Sequence, residues 1–155
     1  MRVPARGRRE AGVTLIELLT VVAIVGILAA IAYPAYTQFV MQTNRTDATK
    51  TMQLAAQSLE RCYSANFTYA PAGGCSVLGN LMNLGANPPM PTPNNYYTIT
   101  LTIVDPQDYT ITAAAAAAPQ TSDSQCASFS LASSGQQTAQ DSNNNDNTKL
   151  CWGSN

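Results

Sequence analysis

The chain has 155 residues, about the size of one domain, which leaves no room for a second large core. Charged residues make up only 11%, and histidine, the commonest general base and zinc ligand, is absent. After residue 12 the chain carries four basic and eight acidic residues, a net charge of −4, so it lacks the basic surface of a general nucleic-acid binder. Composition therefore argues against an enzyme and gives no direct evidence for nucleic acid as a partner, and it indicates no cofactor and no metal.

The first forty residues change abruptly from basic to apolar. Four arginines lie within the first nine positions, and residues 18–40 form an apolar segment long enough to span a membrane as a helix. The arginines predict a cytoplasmic N-terminus, with everything after Val40 across the membrane. A cleavable secretory signal or a plain signal anchor has the same outline. Glu17 fits neither, because a carboxylate inside an apolar run is costly in lipid.

The sequence around Glu17 resembles a known processing signal. Residues 12–19, GVTLIELL, are similar to the type III signal of type IV prepilins and the related pseudopilins. The likeness continues through Gly26 and Pro34. The chain departs from the family at Val13, where phenylalanine is usual, and at Leu54, where a second proline is frequent.

The resemblance implies a sequence of events at the N-terminus. A prepilin peptidase would cut between Gly12 and Val13 on the cytoplasmic side and methylate the Val13 amine. That amine stays cationic near neutral pH, so Glu17 of a neighbouring subunit could neutralise it inside an apolar filament core. The stretch around Gly26 and Pro34 would lose helicity as subunits pack into a pilus. The implied partners are further copies and other pilins, the peptidase, and the inner-membrane assembly machinery.

Past residue 40 the apolar pattern becomes that of an amphipathic helix. Apolar side chains recur at intervals of three and four, with polar residues on the other faces: Ala48, Met52, Ala55, Leu59 and Cys62. The pattern predicts one continuous helix over 13–62 whose second half seats a soluble domain. We therefore expect a cytoplasmic leader that is removed (1–12), a transmembrane and assembly helix (13–40), and a periplasmic or extracellular pilin domain (41–155).

The rest of the chain predicts a loop and then a sheet. Residues 63–95 are rich in proline and glycine and are typical of a loop. Apolar residues alternate with threonine from Tyr97 to Ile103, and further strands are expected after a turn at 105–108, around 127–131, and after Gly135. The alanine run 113–118 fits a strand end or a loop. The expected fold is α+β, the pilin fold: one long N-terminal helix packed on an antiparallel sheet of three or four strands.

Four cysteines, Cys62, Cys75, Cys126 and Cys151, contain no C-x-x-C pair and have no histidine to complete a zinc site. They indicate disulfides formed outside the cytosol. Spacing alone leaves all three pairings open, although pairing within each half of the chain is the simplest. The Cys151-Trp152 pair near the terminus resembles the end of PilE-like pilins. This likeness implies that Cys126 pairs with Cys151 and closes a C-terminal loop exposed on the filament.

Residues 141–145 have the D-x-N-x-N spacing of a calcium-binding loop. Such a loop requires glycine where Asp146 stands and glutamate where Trp152 stands. The stretch therefore predicts a solvated polar loop.

These observations predict a structural subunit of a type IV pilus, held in the bacterial inner membrane as a single-pass precursor and then assembled into an extracellular filament. The sequence does not distinguish adhesion, twitching motility and DNA uptake. Two alternatives are a pseudopilin of a type II secretion system and a secreted or anchored binding module. A mature N-terminus near Tyr33 would indicate the binding module.

Overall fold

The computed structural model describes residues 12–70 and 90–153. Helix α1 spans Leu15–Asn66 and is followed by five strands, a 3-10 turn and a short C-terminal helix. The strands are β1 (Met90–Pro91), β2 (Tyr97–Asp105), β3 (Asp108–Ala115), β4 (Ser128–Ala132) and β5 (Gln137–Gln140); the turn is Gln120–Ser122, and α2 spans Thr148–Trp152. Within α1, Thr37 ends one compact unit and Gln38 begins a second.

Helix α1 ends four residues later than the sequence pattern predicts. The pattern placed its end at Cys62, where the buried apolar spacing stops, whereas the helix continues to Asn66. Phe67 then takes a left-handed backbone conformation (φ 54°), and its N–H donates to the carbonyl of Tyr63 at 2.7 Å. A left-handed residue directly after the last turn is a common helix terminator. The final turn is therefore set by local capping, which apolar periodicity does not report.

The core of the second unit lies between one face of α1 and one face of the sheet. The helix contributes the predicted apolar positions, all of them buried: Ala48, Met52, Ala55, Leu59 and Cys62. The sheet contributes alternate residues of each long strand: Tyr97, Ile99, Leu101, Tyr109, Ile111, Ala113, Phe129, Leu131 and Ala139. Both periodicities predicted from the sequence, close to 3.6 in the helix and 2 in the strands, are confirmed.

The sheet is an antiparallel meander in which each strand pairs with its neighbour in sequence, in the order β1-β2-β3-β4-β5. Four strands of at least four residues match the predicted sheet, and β1 adds only two residue pairs at the edge of β2. The first three alanines of the run 113–118 belong to β3, and the rest lead out of it. The sequence left a strand end and a loop open for this run, and the structure places a strand end at Ala113–Ala115.

The chain end covers the outer edge of β5. The Ala139 N–H donates to Thr148 Oγ1 (2.9 Å), the Asn147 N–H donates to the Ala139 carbonyl (2.9 Å), and Trp152 Nε1 donates to the Thr138 carbonyl (2.8 Å). These bonds satisfy backbone groups that an open edge would offer to other strands.

The predicted Cys126–Cys151 disulfide holds this C-terminal segment in place, with Cα atoms 5.7 Å apart. Cys126 precedes β4, and Cys151 lies in α2, after β5. The crosslink therefore holds the C-terminal segment against the core. Cys62 is also disulfide-bonded. Its predicted partner, Cys75, lies outside the described residues, so that pairing stays a prediction.

Replacing Cys126 and Cys151 together by serine should lower the free energy of unfolding by about 3 kcal/mol, because the crosslink closes a loop with a sequence separation of 25. Chemical unfolding of the detergent-solubilised chain would measure this through the fluorescence of Trp152, the one tryptophan, whose ring lies 5.9 Å from that of Phe129. Ser142→Ala, an exposed change within the same loop, is the control and should leave the unfolding midpoint unchanged. Equal stability of the double serine variant and the unmodified chain would contradict the role of the crosslink.

Candidate functional site

The N-terminal part of α1 presents its apolar side chains without cover. Every large apolar side chain from Val13 to Phe39 is exposed, up to 77% at Leu15. Within the described residues, α1 is the one helix long and apolar enough to cross a membrane. An uncovered apolar surface of this extent marks a site of contact with lipid or with other proteins.

Gly12 and Val13, the predicted cleavage residues, lie immediately before α1, and Glu17 lies in its first turn. The Glu17 N–H donates to Thr14 Oγ1 at 3.3 Å, so Thr14 caps the helix. In a full capping box the glutamate side chain bonds back to the cap residue. Among the described residues, the Glu17 carboxylate makes no such bond and no ion pair. It gains from the helix dipole but remains available to a partner outside the chain.

Gly26 and Pro34 both lie within the continuous helix. A Cβ atom at Gly26 would meet nothing within 4 Å, so contacts within the chain do not require glycine there. Pro34 has no N–H to donate to the carbonyl of Ala30, which removes one helical hydrogen bond. The Thr37 hydroxyl donates to the Pro34 carbonyl at 2.9 Å. Both residues lower the stability of a helix through backbone chemistry, and the loss of helicity predicted for the stretch around them stays a prediction.

A buried ion pair fixes α1 to the segment between β3 and β4. Arg45 Nε and Nη2 donate to the two Asp123 oxygens, each at 2.7 Å, in a bidentate arrangement. Asp123 Oδ1 also accepts the N–H groups of Gln125 (3.1 Å) and Cys126 (3.3 Å). Burial raises the pKa of Asp123, but the Arg45 guanidinium and the two N–H groups more than offset it and hold that pKa below its ordinary value.

Gln120 extends this contact through three neutral hydrogen bonds. Its amide oxygen accepts from Asn44 Nδ2 (3.1 Å), and its amide nitrogen donates to the Tyr97 hydroxyl (2.8 Å) and to the Met41 carbonyl (3.2 Å). Burial raises the pKa of Tyr97 to about 12, although the hydrogen bond from Gln120 acts in the opposite direction. Sequence analysis did not find this network. The sequence did indicate that Asn44 is buried, because Asn44 precedes Ala48 by four residues and so continues the buried face of α1.

A second polar contact lies at the other end of that buried face. Glu60 Oε1 accepts the hydroxyls of Tyr69 (3.0 Å) and Tyr109 (3.1 Å), whose rings meet edge to face at 4.8 Å. Burial, followed by the hydrogen bond to Glu60, raises the pKa of Tyr69 to about 12 and that of Tyr109 further. Tyr63 stacks on Tyr69 at 4.6 Å. The Glu60 carboxylate is therefore committed within the chain, in contrast to that of Glu17.

The 141–145 loop closes on itself. Asp141 accepts the Asn145 side chain (3.0 Å) and the N–H groups of Asn145 (2.9 Å) and Asn143 (2.8 Å), which together lower the pKa of Asp141. Among the described residues no group of histidine, cysteine, aspartate and glutamate could hold a metal ion. The Asp141 oxygens serve the loop itself.

Two comparisons place the chain among known proteins. A family model described as type IV minor pilin ComP, DNA uptake sequence receptor, matches residues 34–130. A model of the prokaryotic N-terminal methylation motif matches residues 7–33. No curated protein matches the chain.

Replacing Asp123 by asparagine should cost about 3 kcal/mol of unfolding free energy at neutral pH, because it leaves the buried Arg45 charge unpaired. The folded-state pKa of Asp123 lies below its unfolded value near 3.9, so the folded chain binds fewer protons between the two values. The stabilisation is complete above the unfolded pKa and is lost as the pH falls through the folded one.

Unfolding curves between pH 7 and pH 2.5 would test this prediction. The unmodified chain should lose stability below about pH 4, and Asp123→Asn should flatten that part of the curve. Asp105→Asn, which changes an exposed carboxylate in the same way, is the matched control and should keep the acid dependence. If Asp123→Asn kept the full loss of stability at low pH, other carboxylates would be the cause of that loss.

Proposed function

The chain belongs to the type IV minor pilin ComP family and is a pilus subunit, and we propose that it is made as a membrane-anchored prepilin, cut between Gly12 and Val13 and methylated on the Val13 amine. The methylation-motif match at residues 7–33 includes the cleavage residues and Glu17. The arginines ahead of Gly12 favour a cytoplasmic N-terminus, on the side where the peptidase acts. Pilin families are structural and not enzymatic, in agreement with a chain that contains no histidine.

Assembly through α1 is the step that the geometry supports best, and the unpartnered Glu17 carboxylate is the observation that carries it. Glu17 is the only charged side chain between residues 13 and 44, and every large apolar side chain around it is exposed. Packing these surfaces together removes water from the carboxylate, which is costly unless a cation accompanies it. The Val13 amine of a second copy is that cation, and it lies beside Glu17 of the first copy. The pair then fixes the register in which two helices pack.

Gly26 and Pro34 serve the same step. Since no contact within the chain requires glycine at residue 26, its role lies in packing between chains or in the lability of the helix. We assign to the stretch between these two residues the loss of helicity that accompanies packing, because glycine and proline lower the cost of unwinding it. Before assembly the same residues span the inner membrane, and afterwards they lie in the extracellular filament.

The alternative functions differ from this proposal in testable ways. A secretion pseudopilin shares the N-terminal motif, but the match over residues 34–130 is to a pilus subunit family. A secreted binding module would be cut near Tyr33 and would lose the whole apolar segment. The N-terminal residue of the protein in sheared surface material distinguishes these cases.

Replacing Glu17 by glutamine should reduce the yield of filaments about tenfold or more, because the Val13 amine of the neighbouring copy is then buried without its partner. Membrane insertion and cleavage after Gly12 should continue. The measurement is the ratio of chain in sheared filaments to chain in the membrane fraction. Glu60→Gln, at the only other glutamate after residue 12, is the matched control and should assemble normally. Normal filament yield from Glu17→Gln would exclude the proposed ion pair.

DNA uptake is a second candidate function, favoured by the description of the matched family as a DNA uptake sequence receptor. The acidic composition of the chain after residue 12 offers no direct support for it. After residue 12 the chain has four cations, and Arg45 is committed to Asp123. Lys50, Arg61 and Lys149 are the cations left to contact DNA phosphates. Binding by one chain therefore depends on few ionic contacts and on uncharged groups that contact the DNA.

Binding of duplex DNA to the processed chain, which begins at Val13, should therefore weaken only gradually with salt when the chain is solubilised in detergent. Three phosphate contacts predict a slope of log affinity against log salt no steeper than about −2.7, and Lys149→Gln should reduce it by about 0.9. Fluorescence anisotropy at several salt concentrations would measure both slopes, with Asn143→Gln at an exposed position as the neutral control. Absence of binding at low salt would contradict a direct role in DNA uptake.

A further inference from the structure

One face of the second half of α1 is exposed and carries most of the uncommitted positive charge. Lys50, Leu54, Gln57 and Arg61 follow one another at intervals of four, three and four, so they share one side of the helix. We call these four residues the outer face of α1. All four side chains are exposed, including Leu54 at 56%. Lys50 and Arg61 form no ion pair with any described residue, and they lie about 16 Å apart along the helix.

The acidic neighbours of these cations do not neutralise them. The Glu60 side chain, although exposed, is held by the hydroxyls of Tyr69 and Tyr109. One carboxylate oxygen of Asp47 is buried and has no hydrogen-bond partner among the described residues. The outer face therefore presents two cations around an exposed leucine.

The opposite charge is concentrated at the turn between β2 and β3. Asp105 and Asp108 lie directly across from each other in the strand register, and all four residues of the turn, 105–108, are exposed. The Asp105 carboxylate accepts the Gln107 N–H (2.7 Å), and that of Asp108 accepts the Ser133 hydroxyl (2.7 Å). Neither carboxylate forms an ion pair with any residue that the structure describes. Like charges in a cross-strand pair destabilise it, and a cation from elsewhere would relieve this repulsion.

Within one chain this turn does not reach Lys50. The Tyr69 N–H donates to the Pro106 carbonyl at 2.8 Å, and Tyr109 is bonded to Glu60, so the turn lies at the C-terminal end of α1. Lys50 lies ten residues before Glu60, about 15 Å away along the helix. The two complementary patches are therefore separate sites on the same chain.

We propose that the outer face of α1 docks the β2–β3 turn of a second copy of this chain, an inference that rests on the proposed assembly into filaments. The part of the chain after residue 12 has a net charge of −4 and repels its own copies, so contact is favoured where its few free cations meet its carboxylates. Lys50 faces Asp105 and Asp108, and Leu54 covers Pro106. Because the two patches differ, the contact is heterologous and leaves a free patch at each end, which is the condition for an open filament.

Charge reversal tests this contact. Lys50→Glu alone, and Asp105→Lys with Asp108→Lys, should each lower the filament yield about tenfold, and the three changes together should restore most of it. Lys149→Glu makes the same change of charge at an exposed lysine on α2 and should leave the yield within about twofold, because that site is outside the contact. The amount of processed chain in the membrane fraction controls for folding.

Zero-length carbodiimide crosslinking provides a measurement on the unmodified filament. The chain has only two lysines, Lys50 and Lys149, so the lysine in each crosslinked peptide is readily assigned, and fragmentation of the peptide identifies the carboxylate. Filaments grown from a mixture of nitrogen-15-labelled and unlabelled chains should yield mixed-label peptides that join Lys50 to Asp105 or Asp108.

Normal filament yield from the charge-reversed variants, or failure of the combined variant to recover, would overturn the proposal. Mixed-label crosslinks that join Lys50 to other carboxylates would overturn it too. If Lys50→Glu removes DNA binding while filaments assemble normally, the outer face serves nucleic acid instead. Absence of filaments from the unmodified chain would refute the proposed function itself. Failure of the docking contact and failure of the proposed function therefore give different results.

Discussion

The packing of one face of α1 against the sheet is the contact on which the folded unit depends. Ala48, Met52, Ala55 and Leu59 are completely buried along it, and each apolar side chain withdrawn from water contributes on the order of 1 to 3 kcal/mol. Polar contacts bound this apolar face at both ends. Arg45 pairs with Asp123 at one end, and Glu60 accepts two tyrosine hydroxyls at the other. The rotation of the helix about its axis is therefore fixed, and with it the side chains that face outward.

Two charged residues of α1 illustrate how the two units differ. Arg45 is buried, and the chain itself supplies the carboxylate, the side-chain amide of Gln125 and the surrounding backbone that make its burial tolerable. Glu17 lies in an apolar surface for which the described chain supplies neither cover nor counter-charge. The unit that begins at Gln38 is satisfied by contacts within the chain. The unit before it is completed only by lipid or by other subunits, which is the physical reason that this protein functions in an assembly.

The parts of the fold that could be predicted from the sequence are those set by local pattern. The spacing of Ala48, Met52, Ala55 and Leu59 records which face of the helix is buried, and the alternation from Tyr97 to Ile103 does the same for β2. The Arg45–Asp123 pair joins residues 78 positions apart, and no local pattern connects them. For the N-terminal site the sequence was more informative than the structure, because the roles predicted for Gly12, Val13 and Glu17 involve partners outside the chain. The C-terminal disulfide was expected from a family resemblance, since spacing alone left the pairings open.

Scarcity of charge limits what this surface can do at one time. With Arg45 committed, Lys50, Arg61 and Lys149 are the cations left after residue 12. A second copy docked on the outer face of α1 would cover two of them and leave Lys149 for nucleic acid. One ionic contact gives weak binding, so a filament of this chain would hold DNA through the repetition of a weak site along its length, where effective concentration replaces single-site affinity. Assembly and DNA binding then use the same cations. A chain outside the filament would therefore bind DNA with a steeper salt dependence per subunit than the filament does.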